Sequence, residues 1–138
     1  SAKQGVYMIQ GRCLCDGIQY KYTGEITEVS ICHCGQCRLA QGGANAPVCP
    51  IDVDKFTLTQ GQDLIKEYES SPGKYRAFCS CCGSPIYSRR ADKPSVVRLR
   101  LGTVTTSFTC DRVYHKFVAH KASWDMIADG NPQYPDNV

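Results

Sequence analysis

The sequence predicts a single, mainly β domain that is held together by metal-binding cysteines. Short segments alternate between apolar and polar residues, which is the period of a half-buried strand. Helix signals are few, and ten of the 138 residues are cysteines, most of them in three tight clusters. The chain has the length of one domain and shows no linker, repeat or low-complexity stretch. We therefore assign residues 8–138 to one domain, while Ser1 to Tyr7 precede Met8 and are compatible with an expression remnant.

The strand predictions come from alternating segments that end at glycine or proline. The clearest is Ser95 to Gly102, which is β-branched at its start, and Gly17 to Gly24 alternates in the same way. Phe56–Thr59 runs into a Gln60-Gly61 turn that Leu64–Tyr68 follows, which predicts a hairpin or two neighbouring strands. Further short candidates are Tyr75–Phe78, Ile86–Ser88 and Val113–Val118.

Two short segments carry helix signals. Residues 37–41 come directly before Gly42, and a glycine after a helical segment commonly ends it. Near the end of the chain, Ser123 is a suitable cap for a turn through Ala128. Trp124 lies at the start of that second segment, and we expect it to anchor the core.

The spacing of the cysteines favours metal sites over disulfides. Cysteines that are one to three residues apart suit several ligands that converge on one ion, whereas a disulfide framework spreads its cysteines along the chain. A domain of this length also does not need cross-links to be stable. We therefore expect reduced cysteines and a reducing compartment, the cytoplasm.

Charge and hydropathy indicate whether the protein binds nucleic acid or a membrane. The formal net charge of +3 falls to zero when seven thiolates and two Zn²⁺ ions are counted. Because there is also no dense run of lysine and arginine, we expect no nucleic-acid partner. No apolar run approaches the roughly 20 residues that span a membrane, and no charged-then-apolar leader is visible. We expect no membrane association.

A first metal site is predicted from two separate cysteine pairs. Cys79 and Cys82 form a C-x-x-C motif, which supplies half of a tetrahedral shell. Cys13 and Cys15 are two positions apart, so in an extended segment both sulfurs point to the same side. Together the four sulfurs form a closed site of the kind that structural zinc occupies. The segment Cys32-His33-Cys34 remains an alternative source of the second pair.

A second metal site is predicted within one short segment. Cys32, Cys34 and Cys37 form a C-x-C-x-x-C motif, which is enough for one ion without an obvious fourth local ligand. Structural zinc sites have four protein ligands, whereas catalytic sites have three and leave one position to water or substrate. The motif therefore predicts an open site, unless Cys49 or His33 closes it. An iron–sulfur cluster fits the spacing less well.

These motifs carry a resemblance that covers the chain from about Gly11 to Tyr134. In their order and spacing they resemble the glutathione-dependent formaldehyde-activating enzyme family, which includes centromere protein V. The segments that carry the resemblance are Gly11–Gly17, Cys32–Arg38, Phe78–Ser84, His115–Trp124 and Asn131–Tyr134.

The resemblance implies an Mss4-like (β-tent) fold of antiparallel sheets around a structural zinc, with very short helices. It implies a carbon–sulfur lyase that acts on the adduct of a thiol such as glutathione with an aldehyde such as formaldehyde. The alternative is a non-catalytic, zinc-stabilised binding module of the same fold. The resemblance assigns one Zn²⁺ ion to Cys13, Cys15, Cys79 and Cys82, and a second, catalytic Zn²⁺ ion to Cys32, Cys34 and Cys37.

Two features bear on how far the resemblance extends. The best-known activating enzymes are longer than this chain, so parts of their glutathione site are not assured here. Cys81 is an additional cysteine between Cys79 and Cys82. Arg38 adjoins the open site in sequence and is a candidate partner for a glutathione carboxylate, although a solvated helix-end charge is an equal alternative.

Overall fold

The structure is a computed structural model, and it describes residues 8–138. In this part of the chain, ten strands form two sheets, joined by one α-helix and four short 3₁₀ helices. The strands are β1 (Ile9–Arg12), β2 (Gln19–Tyr22), β3 (Val29–Cys32), β4 (Ala46–Asp52), β5 (Phe56–Gln60), β6 (Ile65–Ser71), β7 (Lys74–Cys79), β8 (Pro85–Arg90), β9 (Val96–Arg100) and β10 (Val113–Lys116). The α-helix is α1 (Gly35–Gln41), and the 3₁₀ helices are Val53–Lys55, Gln62–Leu64, Leu101–Thr103 and Val118–His120.

The prediction of a mainly β fold with very short helices is confirmed. The smaller sheet has the strand order β1-β2-β5, and the larger has the order β10-β3-β4-β9-β8-β7-β6. All strand pairings are antiparallel except that of β10 with β3, which is parallel. The Mss4-like class and the domain bounds 8–138 stay predictions, and the expression remnant proposed for residues 1–7 lies outside the described residues.

Both strands predicted around Gly61 exist, but they form neither a hairpin nor neighbouring strands of one sheet. β5 pairs with β2 in the smaller sheet, and β6 pairs with β7 in the larger one. Gly61 has a left-handed backbone with φ of 86°, and a Cβ at this position would meet the Gly17 carbonyl oxygen at 2.3 Å. The turn therefore packs against the β1–β2 loop, and the chain leaves it toward the other sheet instead of folding back.

Strand β4 lies in the centre of the larger sheet and was not predicted. Its sequence contains Pro47 and Pro50, and proline is depleted in central strands because it donates no backbone hydrogen bond. The strand forms nevertheless, between β3 and β9, because it buries Val48, Cys49 and Ile51, each exposed by 2% or less. The burial of these side chains therefore outweighs the low strand propensity of the two prolines.

Helix α1 confirms the first helix prediction, whereas the second segment forms a turn at Ser123 and Trp124 and no helix. Gly42 adopts a left-handed backbone with φ of 73°, and its N–H donates to the Arg38 carbonyl, which ends α1. From Asp125 to Ala128 the chain has no regular structure, and the Lys121 ammonium donates to the Asp125 carbonyl. Trp124 is 71% exposed, so the prediction that it anchors the core is wrong.

The main core lies where the two sheets meet. Strands β1 and β2 contribute Ile9, Tyr20 and Tyr22, and β4 and β9 contribute Ile51 and Leu99. A smaller apolar cluster under α1 contains Cys32, Cys37, Ala46 and Val48. Among residues 8–138 no helix has the length and apolar character that a membrane crossing requires.

Candidate metal centres

The first cysteine cluster forms at the junction of the two sheets. The sulfur atoms of Cys13, Cys15, Cys79 and Cys82 all lie within 4.8 Å of one another. The Sγ atoms of Cys13 and Cys15 are 3.5 Å apart, and those of Cys15 and Cys79 are 3.8 Å apart. All ten cysteines are free, so the described chain contains no disulfide. The predicted combination of the two pairs is the one that the fold brings together.

Tight turns point these sulfurs inward. Cys79 ends β7, and the turn that follows is closed by the Gly83 N–H, which donates to the Cys79 carbonyl at 2.8 Å. Gly83 has φ of 81°, a conformation that glycine adopts without strain. The Ile18 N–H donates to the Cys13 sulfur at 3.2 Å, and the Cys82 N–H donates to the Cys79 sulfur at 3.5 Å. Backbone donors of this kind stabilise thiolates.

One cysteine of this cluster is predisposed to ionise. Hydrogen bonds from Ser84, first from its hydroxyl and then from its backbone, lower the pKa of Cys82 to about 5. The Cys82 Sγ and the Ser84 Oγ are 3.2 Å apart. Four sulfurs at these separations can form a closed tetrahedral shell between the β1–β2 loop and the β7–β8 turn.

The second cluster lies where β3 passes into α1. The sulfur atoms of Cys32, Cys34 and Cys37 lie within 4.8 Å of one another, and within residues 8–138 no further histidine, cysteine or carboxylate joins them. Cys34 caps α1, and its sulfur accepts from the Cys37 N–H at 3.4 Å. Cys32 and Cys37 are buried, whereas Cys34 is half-buried. The cluster therefore offers three sulfur ligands to a metal ion. Of the three, Cys34 is the most accessible to solvent.

Neither residue that we considered as a fourth ligand belongs to this cluster. Cys49 lies in the main core, and its thiol donates to the Pro50 carbonyl. His33 is fully buried and directs its Nε2 at the Nδ1 of His115, 2.8 Å away. The other ring nitrogen of His115 contacts the Asp129 carboxylate at 3.0 Å. His33 thus joins a histidine–histidine–aspartate chain beneath the C-terminal segment.

Arg76 and Arg100 lie close to the second cluster, and no pattern in the sequence predicted this. Both terminal nitrogens of Arg76 lie 3.9 Å from the Cys37 sulfur. A hydrogen bond from Cys32, together with the positive charges of Arg76 and Arg100, lowers the pKa of Cys37 to about 4. The pKa of Cys32 is raised in return, because it shares a hydrogen bond with the Cys37 thiolate. These contacts therefore favour the thiolate form of Cys37 over that of Cys32.

Arg38, the cation that sequence reasoning placed beside the open site, is engaged elsewhere. Its guanidinium donates to the His120 carbonyl at 3.3 Å, so it ties α1 to the C-terminal segment. Arg76 and Arg100 could not be linked to Cys37 from sequence, because they lie on β7 and β9 and meet α1 only in the folded chain.

Comparisons with known proteins identify the family of this chain. The model of the family described as glutathione-dependent formaldehyde-activating enzyme matches residues 8–120. A Schizosaccharomyces pombe protein described as an uncharacterized lyase is 30% identical over 78 residues, which are 56% of this chain and 55% of that protein. The chain thus spans about half the length of the curated relative that it matches.

A crystal structure of a Rhodobacter sphaeroides protein is similar in fold. It has a TM-score of 0.59 and 17% identity, and it covers 71% of this chain and 89% of that chain. At this identity the likeness concerns the fold alone. Since the family model matches most of its length, the chain belongs to the glutathione-dependent formaldehyde-activating enzyme family.

Proposed function

We propose that the protein is a zinc-dependent carbon–sulfur lyase that makes or breaks the adduct of a thiol, such as glutathione, with an aldehyde, such as formaldehyde. The observation that carries the proposal is the three-sulfur cluster of Cys32, Cys34 and Cys37, which has no fourth protein ligand in the described chain. Membership of the family supports it.

The donor atoms of both clusters suit zinc. Thiolate sulfur is a preferred ligand of Zn²⁺, and groups of three or four such atoms within 4.8 Å can share one ion. We assign the closed set of Cys13, Cys15, Cys79 and Cys82 to a structural ion, because it joins the two sheets. Bound to Cys32, Cys34 and Cys37, zinc would supply an open position that holds the substrate sulfur as a thiolate.

The chain's own residues prepare this site for a thiol. The hydrogen bond from Cys32 and the nearby charges of Arg76 and Arg100 favour the thiolate form of Cys37, and a preorganised charge of this kind needs little reorganisation. In the forward reaction the substrate sulfur attacks the aldehyde carbon, and one carbon–sulfur bond forms. The carbonyl oxygen takes up the proton that the thiol has lost, so no oxidant or reductant is needed. The half-buried side of the cluster at Cys34 is where substrate can approach.

Exchange spectroscopy tests the activity directly. Two-dimensional NMR on glutathione, formaldehyde and their adduct measures the exchange rate, and the zinc-loaded protein should increase it. Cys34→Ser should abolish the increase, since it removes one of three ligands, whereas Cys81→Ser should retain it because Cys81 is exposed and outside both clusters. An unchanged exchange rate with wild-type protein would refute the proposal.

Metal analysis separates the lyase from a non-catalytic binding module. A lyase should contain two zinc ions, and glutathione should remove one of them while circular dichroism shows that the fold persists. A binding module should contain one tightly held ion, and its remaining thiols should not respond to glutathione.

A further inference from the structure

The residue between two cysteines of the second cluster is held from outside that cluster. His33 lies between Cys32 and Cys34 in the chain and is fully buried. Successive residues of an extended chain point to opposite faces, so the His33 ring is directed away from the face that carries the Cys32 side chain. The contacts of this ring therefore act on the backbone that joins the two cysteines, and the ring itself is not part of the cluster.

Two contacts fix His33 to strand β10. Its backbone N–H donates to the Lys116 carbonyl at 3.1 Å, which continues the parallel pairing of β3 with β10. Its ring Nε2 lies 2.8 Å from the Nδ1 of His115. Because one neighbouring strand holds both the backbone and the side chain of this residue, rotation of the chain between Cys32 and Cys34 is restricted.

A carboxylate holds the second histidine in turn. The two oxygens of Asp129 lie 3.1 and 3.0 Å from the Nε2 of His115. The hydrogen bond from His115 lowers the pKa of Asp129, and an ionised carboxylate only accepts, so the Nε2 of His115 is the donor. The Asp129 Oδ1 also accepts from the Asn131 N–H at 3.0 Å, which orients the carboxylate within its own loop.

Strand β10 itself depends on the end of the chain. It has four residues and lies at one edge of the larger sheet. On the side away from β3, the His115 N–H donates to the Pro132 carbonyl and the Tyr134 N–H donates to the His115 carbonyl, both at 2.9 Å. A short edge strand opens easily unless it is covered. Residues 129–136 therefore hold β10 against β3.

The same segment contacts the second cluster at a strained residue. Phe117, directly after β10, packs against this cluster. Its backbone is left-handed, with φ of 57°, a conformation that is unfavourable for a bulky side chain. The Phe117 N–H donates to the Asp136 carbonyl at 3.1 Å. Strain of this kind persists only where the surrounding structure maintains it, and it is commonly found beside functional sites.

A second carboxylate faces His33 from the C-terminal segment. The Asp125 Oδ2 lies 3.9 Å from the Nδ1 of His33. The His33 ring therefore lies between His115 and Asp125, and both of these belong to the last quarter of the chain. Asp125 and Asp129 lie beyond residues 8–120, which the family model matches. Neither carboxylate joins a cysteine cluster.

We propose that His115 and Asp129 are positioning residues of the second metal centre, and that they act on it through His33. Together with Phe117 and Asp125 they form a unit that we call the C-terminal clamp. By holding the backbone between the first two cysteines of the cluster, the clamp keeps their sulfurs close enough to share one ion, so that metal binding requires little reorganisation. The proposal rests on the metal-binding part of the proposed function and does not depend on the lyase reaction.

Cobalt distinguishes the two sites in solution. Co²⁺ can replace Zn²⁺ in thiolate sites, and its absorption spectrum reports the ligands and their geometry. Cys34→Ser lacks one ligand of the second cluster, so its spectrum is that of the first cluster alone. Subtraction from the wild-type spectrum gives the second cluster, and titration with Co²⁺ against a competing chelator gives its affinity.

The decisive variant removes the link between the two histidines. His115→Phe retains an aromatic ring without nitrogen atoms, and it should weaken Co²⁺ binding at the second cluster by at least about tenfold, as loss of an outer partner of a metal site does. It should also shift the absorption of that cluster. His115→Asn retains a polar group for His33 and should restore most of the affinity. His120→Phe is the matched control, because it makes the same change at an exposed histidine of the same segment.

A milder variant keeps the test valid if His115→Phe does not fold. The Asp129 side chain is 45% exposed, so Asp129→Ala should fold, and it removes the acceptor of His115. It should weaken Co²⁺ binding at the second cluster by a smaller factor. Asp92→Ala is its control, because Asp92 is an exposed carboxylate that is paired with Arg90. An unchanged spectrum of the first cluster shows that each variant is folded.

The outcomes separate the clamp from the lyase. Equal affinity and equal absorption of the second cluster in His115→Phe, Asp129→Ala and the wild type would overturn the clamp, even if the wild type accelerates the exchange reaction. Parallel losses at both clusters would indicate a general structural role and would also overturn it. Selective loss at the second cluster, without acceleration by the wild type, would support the clamp and refute the lyase. A wild type that binds Co²⁺ only at the first cluster would overturn both proposals.

Discussion

Replacing Cys79 by serine should remove the metal from the first cluster and destabilise the whole fold. Cys79 is fully buried in the main core and ends β7. Its sulfur lies with those of three other cysteines from the β1–β2 loop and the β7–β8 turn. Serine retains the approximate size of the side chain but is a poor zinc ligand, so the change tests coordination more than packing.

The magnitude follows from how metal binding is coupled to folding. A structural zinc site contributes on the order of 10 kcal/mol in isolated peptides, which is comparable with the roughly 5–15 kcal/mol of total stability of a domain. If only a third of that contribution is lost, the free energy of unfolding falls by about 3 kcal/mol. For a chain of this size that corresponds to a decrease in Tm of about 10 °C or more.

The assay combines elemental analysis with thermal unfolding followed by circular dichroism. Cys81→Ser is the matched control, because Cys81 lies in the same turn, is exposed and does not belong to the cluster. Its metal content and Tm should equal those of the wild type. If Cys79→Ser retains its full metal content, or melts within about 2 °C of the control, the assignment of a structural metal to this cluster is wrong.

Three further changes have distinct expected outcomes. Gly42→Ala forces a side chain into the left-handed end of α1 and should lower the free energy of unfolding in urea by about 1 kcal/mol. Gly43→Ala is the control and should not lower it, because a Cβ at this position meets no atom within 4 Å. Tyr20→Phe removes the hydroxyl that lies 2.6 Å from the Thr103 Oγ1, and urea unfolding should show a loss of about 1 kcal/mol; an unchanged midpoint would contradict this. Cys34→Ser should halve the zinc content measured by elemental analysis and leave Tm almost unchanged, and a global loss of structure would show that the second cluster is structural too.

The two cysteine clusters occupy different places in the fold, and this difference supports different roles. The first lies between the sheets, with backbone N–H groups directed at its sulfurs. The second lies at one end of β3, and the Arg76 guanidinium contacts its Cys37 sulfur. Removal of the first ion should therefore affect global stability, whereas removal of the second should affect chemistry.

Both cysteine clusters could be predicted from the sequence, because the convergence of closely spaced sulfurs is largely a local property. Three sulfurs within Cys32–Cys37, and a pair at Cys79 and Cys82, need only one turn of chain to converge. The pairing with Cys13 and Cys15 required the additional argument that extended residues two positions apart face the same side. Helix α1 was predictable for the same local reason, since Gly42 ends it.

Interactions between distant strands were decided by the tertiary structure. The turn at Gly61 was recognised, but its packing against Gly17 sends the chain to another sheet, which no local pattern reports. Trp124 was expected in the core and is exposed, and the segment around it forms no helix.

By itself, the sequence determined that this is a mainly β, cysteine-rich protein with two sets of candidate metal ligands, because spacing within a turn controls which sulfurs can meet. Only the tertiary structure decided that Arg76 and Arg100 lie together beside one of those sets. Their proximity depends on strand register, and a shift of one residue in register would turn each side chain to the opposite face. The order of the strands and their alignment therefore create the charged surface next to Cys37.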